Sequence, residues 1–521
     1  MNCFMAFENE RFKVMKFGGT SMDDMEQVAQ IEDQESTDAH TLFVVSAFSG
    51  VTDKLLALAD EIMPFHNHPN KKKSDPSAFE SFVQDTLQRI RGSVSNDAGG
   101  DLSHVEAFLR QYVENVLKIV PLYTEQQMFA VEDEKDLLKD VFRDRIISIG
   151  EVFSAHALSV VLTARSAVGD VYQDVDTANV ISRPLNGINI HPVRGARKAE
   201  LYREIATGLR GQVEPILLQG HTPVVPGYVG WIPGSITKTI DRGYTDSTAA
   251  ILARGLDDTY GKAGSKVLLQ IWKEVPGLFS GDPRLVEPGY NGKTFTTADS
   301  FQSARLRRTV TFREAAELSA GAGMKAINSN GILALHRSGV SLSVRNTYDK
   351  HDTGTEVLSN SAIAGKNALD ESMRGIRFVS GKKGQTMFTV ESEDMVAQDG
   401  VAANILDECR TLGVGVDAIT TSATSLSFSV DSKDPNIQRL EGRLRRIGTV
   451  ERQDNLALVC CIGNNLRGEV GLLAKISGIL GENGINIEFD GGDKDSNLTF
   501  IVDQKDYEKA VKVLHDRLFE K

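Results

Sequence analysis

The chain has 521 residues, 41% of them hydrophobic, with a formal net charge of −13, which is enough sequence for more than one cored domain. The acidic balance and a pI near 5.4 exclude a protein that works by covering nucleic-acid phosphates with a basic face. Four cysteines, Cys3, Cys409, Cys460 and Cys461, show no C-x-x-C spacing and are too few to staple so long a chain; with no leader, transit peptide or membrane-length apolar stretch in view, the expectation is reduced thiols and a cytoplasmic protein.

The first predicted element is an apolar strand, Phe12 to Met15, which runs into Lys16, the pair Gly18 and Gly19, and the hydroxyls of Thr20 and Ser21. A polar-faced helix, Met22 to Gln34, follows. Such a turn gathers unhindered backbone N–H groups, a helix dipole and a lysine at one point, which suits phosphate. It equally suits a tight strand-to-helix turn with no ligand. The Walker pattern is absent. The stretch KFGGTS resembles the opening signature of the aspartokinase branch of the amino acid kinases, and the later motifs keep that family's order.

Thr41 to Ser46 is predicted as a buried strand, and the small-residue loop Ser46 to Asp53 lies at its C-terminal end, where ligands sit in open parallel sheets. The loop resembles the family's S-A-x-x-G-x-T-N, which implies that Ser46 and Thr52 line the substrate pocket; a solvated turn capped by Thr52 is the alternative. From Lys54 to Leu137 the pattern is helical, interrupted by the polar patch His66 to Pro76, with Lys71, Lys72 and Lys73, and by the loop Asn96 to Asp101. No chemistry is evident there. Ser148 to Glu151 (SIGE) opens an apolar-faced helix and resembles S-x-G-E, which implies that Glu151 faces the substrate's amino group; a carboxylate at a helix start otherwise only compensates the dipole.

Val171 to Asp174 reads as a strand and His191 to Leu209 as a loop and amphipathic helix. Thr222 to Trp231 gives a strand and glycine turns, and resembles the family segment whose aromatic residue, here Tyr228, closes over the substrate. The run IDRGYTDSTAA from Ile240 sets Arg242 and Asp246 on a glycine-bearing loop before an apolar helix. A guanidinium takes a carboxylate in a bidentate fork, and a surface ion pair with a helix cap is the plainer reading. The run resembles G-R-G-G-S-D-x-T-A but departs from it at Asp241, Tyr244 and Thr245; a similar D-R-G-Y variant occurs in relatives associated with ectoine synthesis.

Lys266 to Trp272 is a further buried strand, leading into the rigid loop Glu274 to Arg284, where Asp282 and Arg284 can frame a polyphosphate. The loop resembles the family's nucleotide loop, T-D-V-x-G-I-Y-T-A-D-P-R, with Lys273 and Glu274 in place of Thr-Asp and Phe279 in place of tyrosine. Phe312 to Leu318 and Ala322 to Asn328 match the family's helix and G-x-K-x-x-H-P stretch. Lys325 keeps the phosphate-facing lysine, while Asn328 and Ser329 depart from His-Pro. Val340 to Asn346 is expected to close the sheet.

Beyond a polar linker the chain repeats itself: Gly400 to Asp431 aligns with Gly471 to Asp503, each copy reading helix, strand, strand between a further strand and helix. Two βαββαβ units result, which is the ACT pattern. The fold class expected is α/β, an amino acid kinase fold with a mostly parallel open sheet sandwiched by helices over residues 1–360. A linker follows at 361–372, then two α+β ferredoxin-like ACT domains at 373–452 and 453–521.

The resemblance implies ATP-dependent phosphorylation of the side-chain carboxylate of L-aspartate, with Mg2+ and no dedicated protein metal site. Lys16, Asp246 and Lys325 are the implied catalytic residues; Ser46, Thr52, Glu151, Tyr228 and Arg242 bind aspartate. Lys16, Gly18, Gly19, Thr20, Ser21, Trp272, Phe279, Asp282, Arg284 and Lys325 bind ATP. A lysine or threonine effector is expected at Met395, Gln398, Gly400, Val401 and Asp417, in a homodimer or higher homo-oligomer joined through ACT domains, with no nucleic-acid or membrane partner.

Overall fold

Strands that are apolar on both faces belong inside a parallel sheet, and β1 (Arg11–Phe17) and β2 (His40–Val45) are buried along nearly their whole length. The computed structural model describes residues 7–35, 39–62, 81, 83–88, 103–118, 132–166, 171–177, 193, 196–230, 232–240, 243–288, 290, 301–321, 327–358, 373–393, 400–493 and 495–519. The chain divides into two compact units, Met1–Gly277 with Ile327–Ser361, and Leu278–Ala326 with Ala362–Lys521. The chain passes from the first unit to the second at Ser361 and Ala362, beside the expected boundary at 360, and residues 278–326 also group with the second unit.

In the first unit the helix expected at Met22 to Gln34 is two helices, α1 (Gly19–Met22) and α2 (Met25–Glu35). The break comes at Asp24, whose side chain accepts the backbone N–H of Gln27 as an N-cap does. After β2 come α3 (Val51–Ile62), α4 (Ser103–Leu117), α5 (Glu132–Arg165), β3 (Tyr172–Asp174), α6 (Ala196–Leu218), β4 (Thr222–Pro226), α7 (Ile236–Thr239), α8 (Tyr244–Tyr260) and β5 (Lys266–Lys273). Later in the chain α9 (Ser329–Leu335), β6 (Ser341–Asn346) and β7 (Thr355–Leu358) return to the same unit. The sheet order is β3-β4-β2-β1-β5-β6-β7. All pairs are parallel except β6 with β7.

Connections spread from β1 to both sides, so the strand order reverses beside β1, and the C-terminal ends of β1, β2 and β5 open onto a topological switch point. Part of α5, Leu137–Arg165, is long and apolar enough to span a membrane, against expectation. It is a buried core helix instead, with Phe142, Ile146, Ile149, Phe153 and Leu158 packed into the core.

In the second unit, β8 (Gly375–Glu391), α10 (Val401–Leu412), β9 (Ala418–Thr421), β10 (Ser425–Asp431), α11 (Ile437–Leu444), β11 (Thr449–Asn464), α12 (Leu472–Glu482), β12 (Phe489–Gly491), β13 (Asn497–Asp503) and α13 (Tyr507–Phe519) build one sheet, ordered β9-β10-β8-β11-β13-β12. The first repeat has the predicted βαββαβ order and the second reads βαββα along the chain, and they are not laid end to end. The C-terminal half of β8 pairs with β10 and with the start of β11, while its N-terminal half, Gly375 to Lys383, pairs with the end of β11. The second repeat thus takes its last strand from sequence that precedes the first. Two cores follow: Phe388, Ile405, Phe428 and Leu440 fill the first, and Val459, Ile476, Phe500 and Leu514 the second. Cys409, Cys460 and Cys461 are free and buried, as expected for three of the four thiols.

Candidate active site

The strand ends of β1 and β5 deliver two lysines to one carboxylate. Lys16 lies in β1, and Lys273 ends β5, with Phe17 opposite Trp272 in the parallel register. Asp246 comes from the first turn of α8, whose N-cap Gly243 takes φ +85°, a conformation that favours glycine. Lys16 Nζ stands 2.5 Å from Asp246 Oδ1, and Lys273 Nζ 3.1 Å from Oδ2. Burial pushes Asp246 up, but the paired lysines outweigh it and hold its pKa at about 2. Burial lowers Lys16, with Asp246 opposing and Lys273 adding to the fall. The carboxylate is thus fully ionised at neutral pH.

A second carboxylate lies beside this trio under opposite electrostatics. Glu151 sits within α5 and is 2% exposed. Thr245 Oγ1 donates to Glu151 Oε1 at 3.2 Å and lies 3.3 Å from Ser46 Oγ. The other oxygen, Oε2, is buried with no hydrogen-bond partner among the described residues. Burial raises the Glu151 pKa to about 8, against the opposing pull of Tyr244, Thr245 and Lys16. Two neighbouring carboxylates pushed apart in this way mark a site built for distinct tasks. Glycine permits the closeness: a Cβ on Gly227 would meet Thr245 Oγ1 at 2.5 Å, and one on Gly19 would meet the carbonyl of Ala47 at 2.7 Å.

Of the residues expected here, Lys16, Ser46, Glu151 and Asp246 come together. Gly18 caps α1, Thr20 is exposed, and Thr52 is half-buried in the first turn of α3. Arg242, Lys325, Met395 and Gln398 lie outside the described residues. Four other expected residues have these surroundings. The Ser21 hydroxyl is buried and shares a hydrogen bond with Thr347 Oγ1 at 2.7 Å. The Tyr228 ring is buried beneath the Arg145 guanidinium, 5.6 Å away, and its backbone N–H faces Glu151. Trp272 is a core residue, stacked on Phe17 at 6.0 Å and covered by Arg345 at 4.7 Å, which leaves no face for a base. Phe279 belongs to the core of the second unit and packs on Phe301.

In that second unit Asp282 caps the short helix Pro283–Val286 and forks with Arg284, whose side chain is otherwise exposed. Asn328, in place of the family's histidine, caps α9 by accepting the N–H groups of Asn330 and Gly331. Three residues expected at the effector site lie in the same unit. Val401 packs into the first repeat's core. Gly400 is there for its φ of +86°, since nothing crowds its Cβ position. Asp417 already holds an amine, Lys382 Nζ at 2.7 Å. Lys273, read in the sequence only as a departure from the nucleotide loop, is the member of this cluster that sequence reading did not place here; a lysine at the C-terminal end of a strand next to β1 was the available signal.

Among the described residues no group of three or more His, Cys, Asp or Glu side chains is placed to hold a metal ion. A magnesium ion that keeps its waters and travels on phosphate oxygens needs no such group.

The amino acid kinase family model matches residues 11–346, and an ACT domain model matches residues 459–518. Lysine-sensitive aspartokinase 3 of Escherichia coli (strain K12) is 27% identical over 515 residues, covering 97% of this chain and 99% of that one. The crystal structure of E. coli aspartokinase III with aspartate and ADP, in the R-state, is similar with a TM-score of 0.70 at 25% identity, over 98% of this chain and 100% of the other. The same enzyme with lysine and aspartate, in the T-state, gives 0.60 at 25% identity with the same coverage.

Proposed function

Because the chain belongs to the amino acid kinase family, we propose that it is an aspartate kinase, transferring the γ-phosphoryl group of Mg-ATP to the side-chain carboxylate of L-aspartate. The products are 4-phospho-L-aspartate and ADP. One observation carries the reading: a buried cationic corner, Lys16 with Lys273 on Asp246, stands beside a buried carboxylate, Glu151, with an unpartnered oxygen. The first matches a polyphosphate and the second an ammonium. The full-length likeness to an enzyme crystallised with aspartate and ADP supports both assignments.

The substrate carboxylate is already a nucleophile, so no general base is needed. An oxygen of that carboxylate forms the new bond to the γ-phosphorus, the bond from phosphorus to the β,γ-bridging oxygen breaks, and ADP leaves with the electron pair. Alignment and charge carry the catalysis. Lys16 neutralises the transferring group, Gly18 and Gly19 let the backbone approach it, and Asp246 orients Lys16. Glu151 takes the ammonium, Ser46 and Thr52 line the aspartate pocket, and Arg242 takes the α-carboxylate. Lys325 and Thr20 add phosphate contacts. Magnesium arrives with the nucleotide as part of the substrate.

Purified protein given Mg-ATP and L-aspartate should release ADP, with the acyl phosphate trapped by hydroxylamine as the hydroxamate. Tight ATP binding without aspartate-dependent ADP release would make the chain an amino acid sensor instead.

Control fits the same reading. Both C-terminal repeats are ACT domains that pair with a second copy into a homodimer or larger assembly in the cytoplasm, and the first binds a feedback amino acid, lysine or threonine, near Gly400 and Asp417. Asp417 suits an amine because it already holds one, so the effector displaces Lys382. Inhibition should follow by population shift, with a coupling of about 1 to 3 kcal/mol. Asp417→Ala should relieve it and leave kcat intact. Activity indifferent to millimolar lysine, threonine and their mixture would reduce the ACT pair to an assembly device.

A further inference from the structure

Lys273 has no part in the resemblance, which carries threonine at its position, yet it is the second cation on the buried Asp246 carboxylate. Lys16 and Asp246 alone, 2.5 Å apart, would be a closed neutral pair with little charge to offer a polyphosphate. Pairing each carboxylate oxygen with its own ammonium changes that balance. One negative group is shared by two positive ones, and a single positive charge is left at the strand ends.

The position is fixed by backbone. Lys273 ends β5 opposite Asn346 of β6, and its carbonyl accepts the N–H of Thr347 at 2.8 Å. The nearby charged groups are Lys16 from β1, Asp246 from α8, Glu274 from the segment after β5 and Glu151 from α5.

We propose that Lys273 is a positioning residue for phosphoryl transfer: it holds Asp246 by Oδ2, so that Oδ1 orients Lys16, and it leaves the corner with the net positive charge that receives the polyphosphate. This rests on the aspartate kinase reading. The loss of Lys273 therefore touches the phosphate end of the reaction and not the binding of aspartate.

The test uses the full chain with Lys273→Met, Lys273→Gln and Lys273→Arg, checked for an intact thermal transition. Met and Gln should lower kcat by about 10- to 100-fold with aspartate KM within about threefold, and Arg should recover to within about fivefold of wild type. In the Met and Gln variants the alkaline limb of the kcat profile should move up, because Lys16 then faces Asp246 without a competing cation. A purely packing role would leave that limb in place. Calorimetry should show Mg-ATP binding weakened about 5- to 10-fold in both variants. A wild-type kcat and unmoved limb in Met or Gln, or no recovery in Arg, overturns the proposal. Should the wild type release no ADP with aspartate, the kinase reading fails on its own account, and Mg-ATP affinity equal in wild type and Lys273→Gln then overturns the role of Lys273.

Discussion

Lys16→Ala should lower kcat by about two to three powers of ten, a loss of roughly 3 to 4 kcal/mol of transition-state stabilisation, with aspartate KM little changed. The size follows from position. Lys16 is nearly wholly buried at the end of a strand in the middle of the sheet, so water cannot take over its charge. Its ammonium gains most when the transferring phosphoryl group spreads charge over its oxygens, which happens only in the transition state. The fold should survive, because Asp246 keeps Lys273 when Lys16 is gone and is not left as a buried unpaired charge. Steady-state kinetics with a melting curve separate the two effects. A near-normal kcat in a folded Lys16→Ala protein would remove the phosphate role from the opening turn.

The parts of this site that were legible in sequence are those made by consecutive residues. KFGGTS announces a strand, a glycine turn and a charge within one short stretch, and the structure has β1, Gly18 and α1 there. The helix that brings Asp246 shows its glycine and its apolar run in the same way. What could not be read is set by register and packing between distant segments. Whether Trp272 faces a nucleotide or the core depends on Phe17 and Arg345 being its neighbours. Phe279 reads as part of a nucleotide loop because of the prolines and glycines around it, yet its burial is decided by residues near the C-terminus. The two repeats were plain as repeats; that β8 serves both of them is a matter of which half pairs with which strand, and no local pattern records that. The pairing of Lys382 with Asp417 across strands is of the same kind.

Glu151→Gln should stabilise the protein and disable it. In the folded chain burial holds the Glu151 pKa at about 8, against an ordinary 4.5. Between those two values the folded state binds a proton that the unfolded state has released, so stability falls as pH rises, by about 1.4 kcal/mol per unit. Summed over the window the cost is about 5 kcal/mol, fully felt above pH 8 and absent below 4.5. Glutamine resembles the neutral acid and escapes it. The variant should therefore melt several degrees higher than wild type at pH 8, with the difference vanishing toward pH 4.5. Function runs the other way, because an aspartate ammonium beside Glu151 stabilises the ionised form and an amide offers it no charge. Aspartate KM should rise by about 100-fold in Glu151→Gln, and the wild-type kcat/KM for aspartate should fall as pH drops below about 8, since the free enzyme then protonates Glu151. The kcat profile should stay flatter over that range, the bound ammonium keeping the carboxylate ionised. A Glu151→Gln protein with unchanged aspartate KM and the wild-type dependence of melting temperature on pH would show that Glu151 neither meets the substrate nor carries the buried charge.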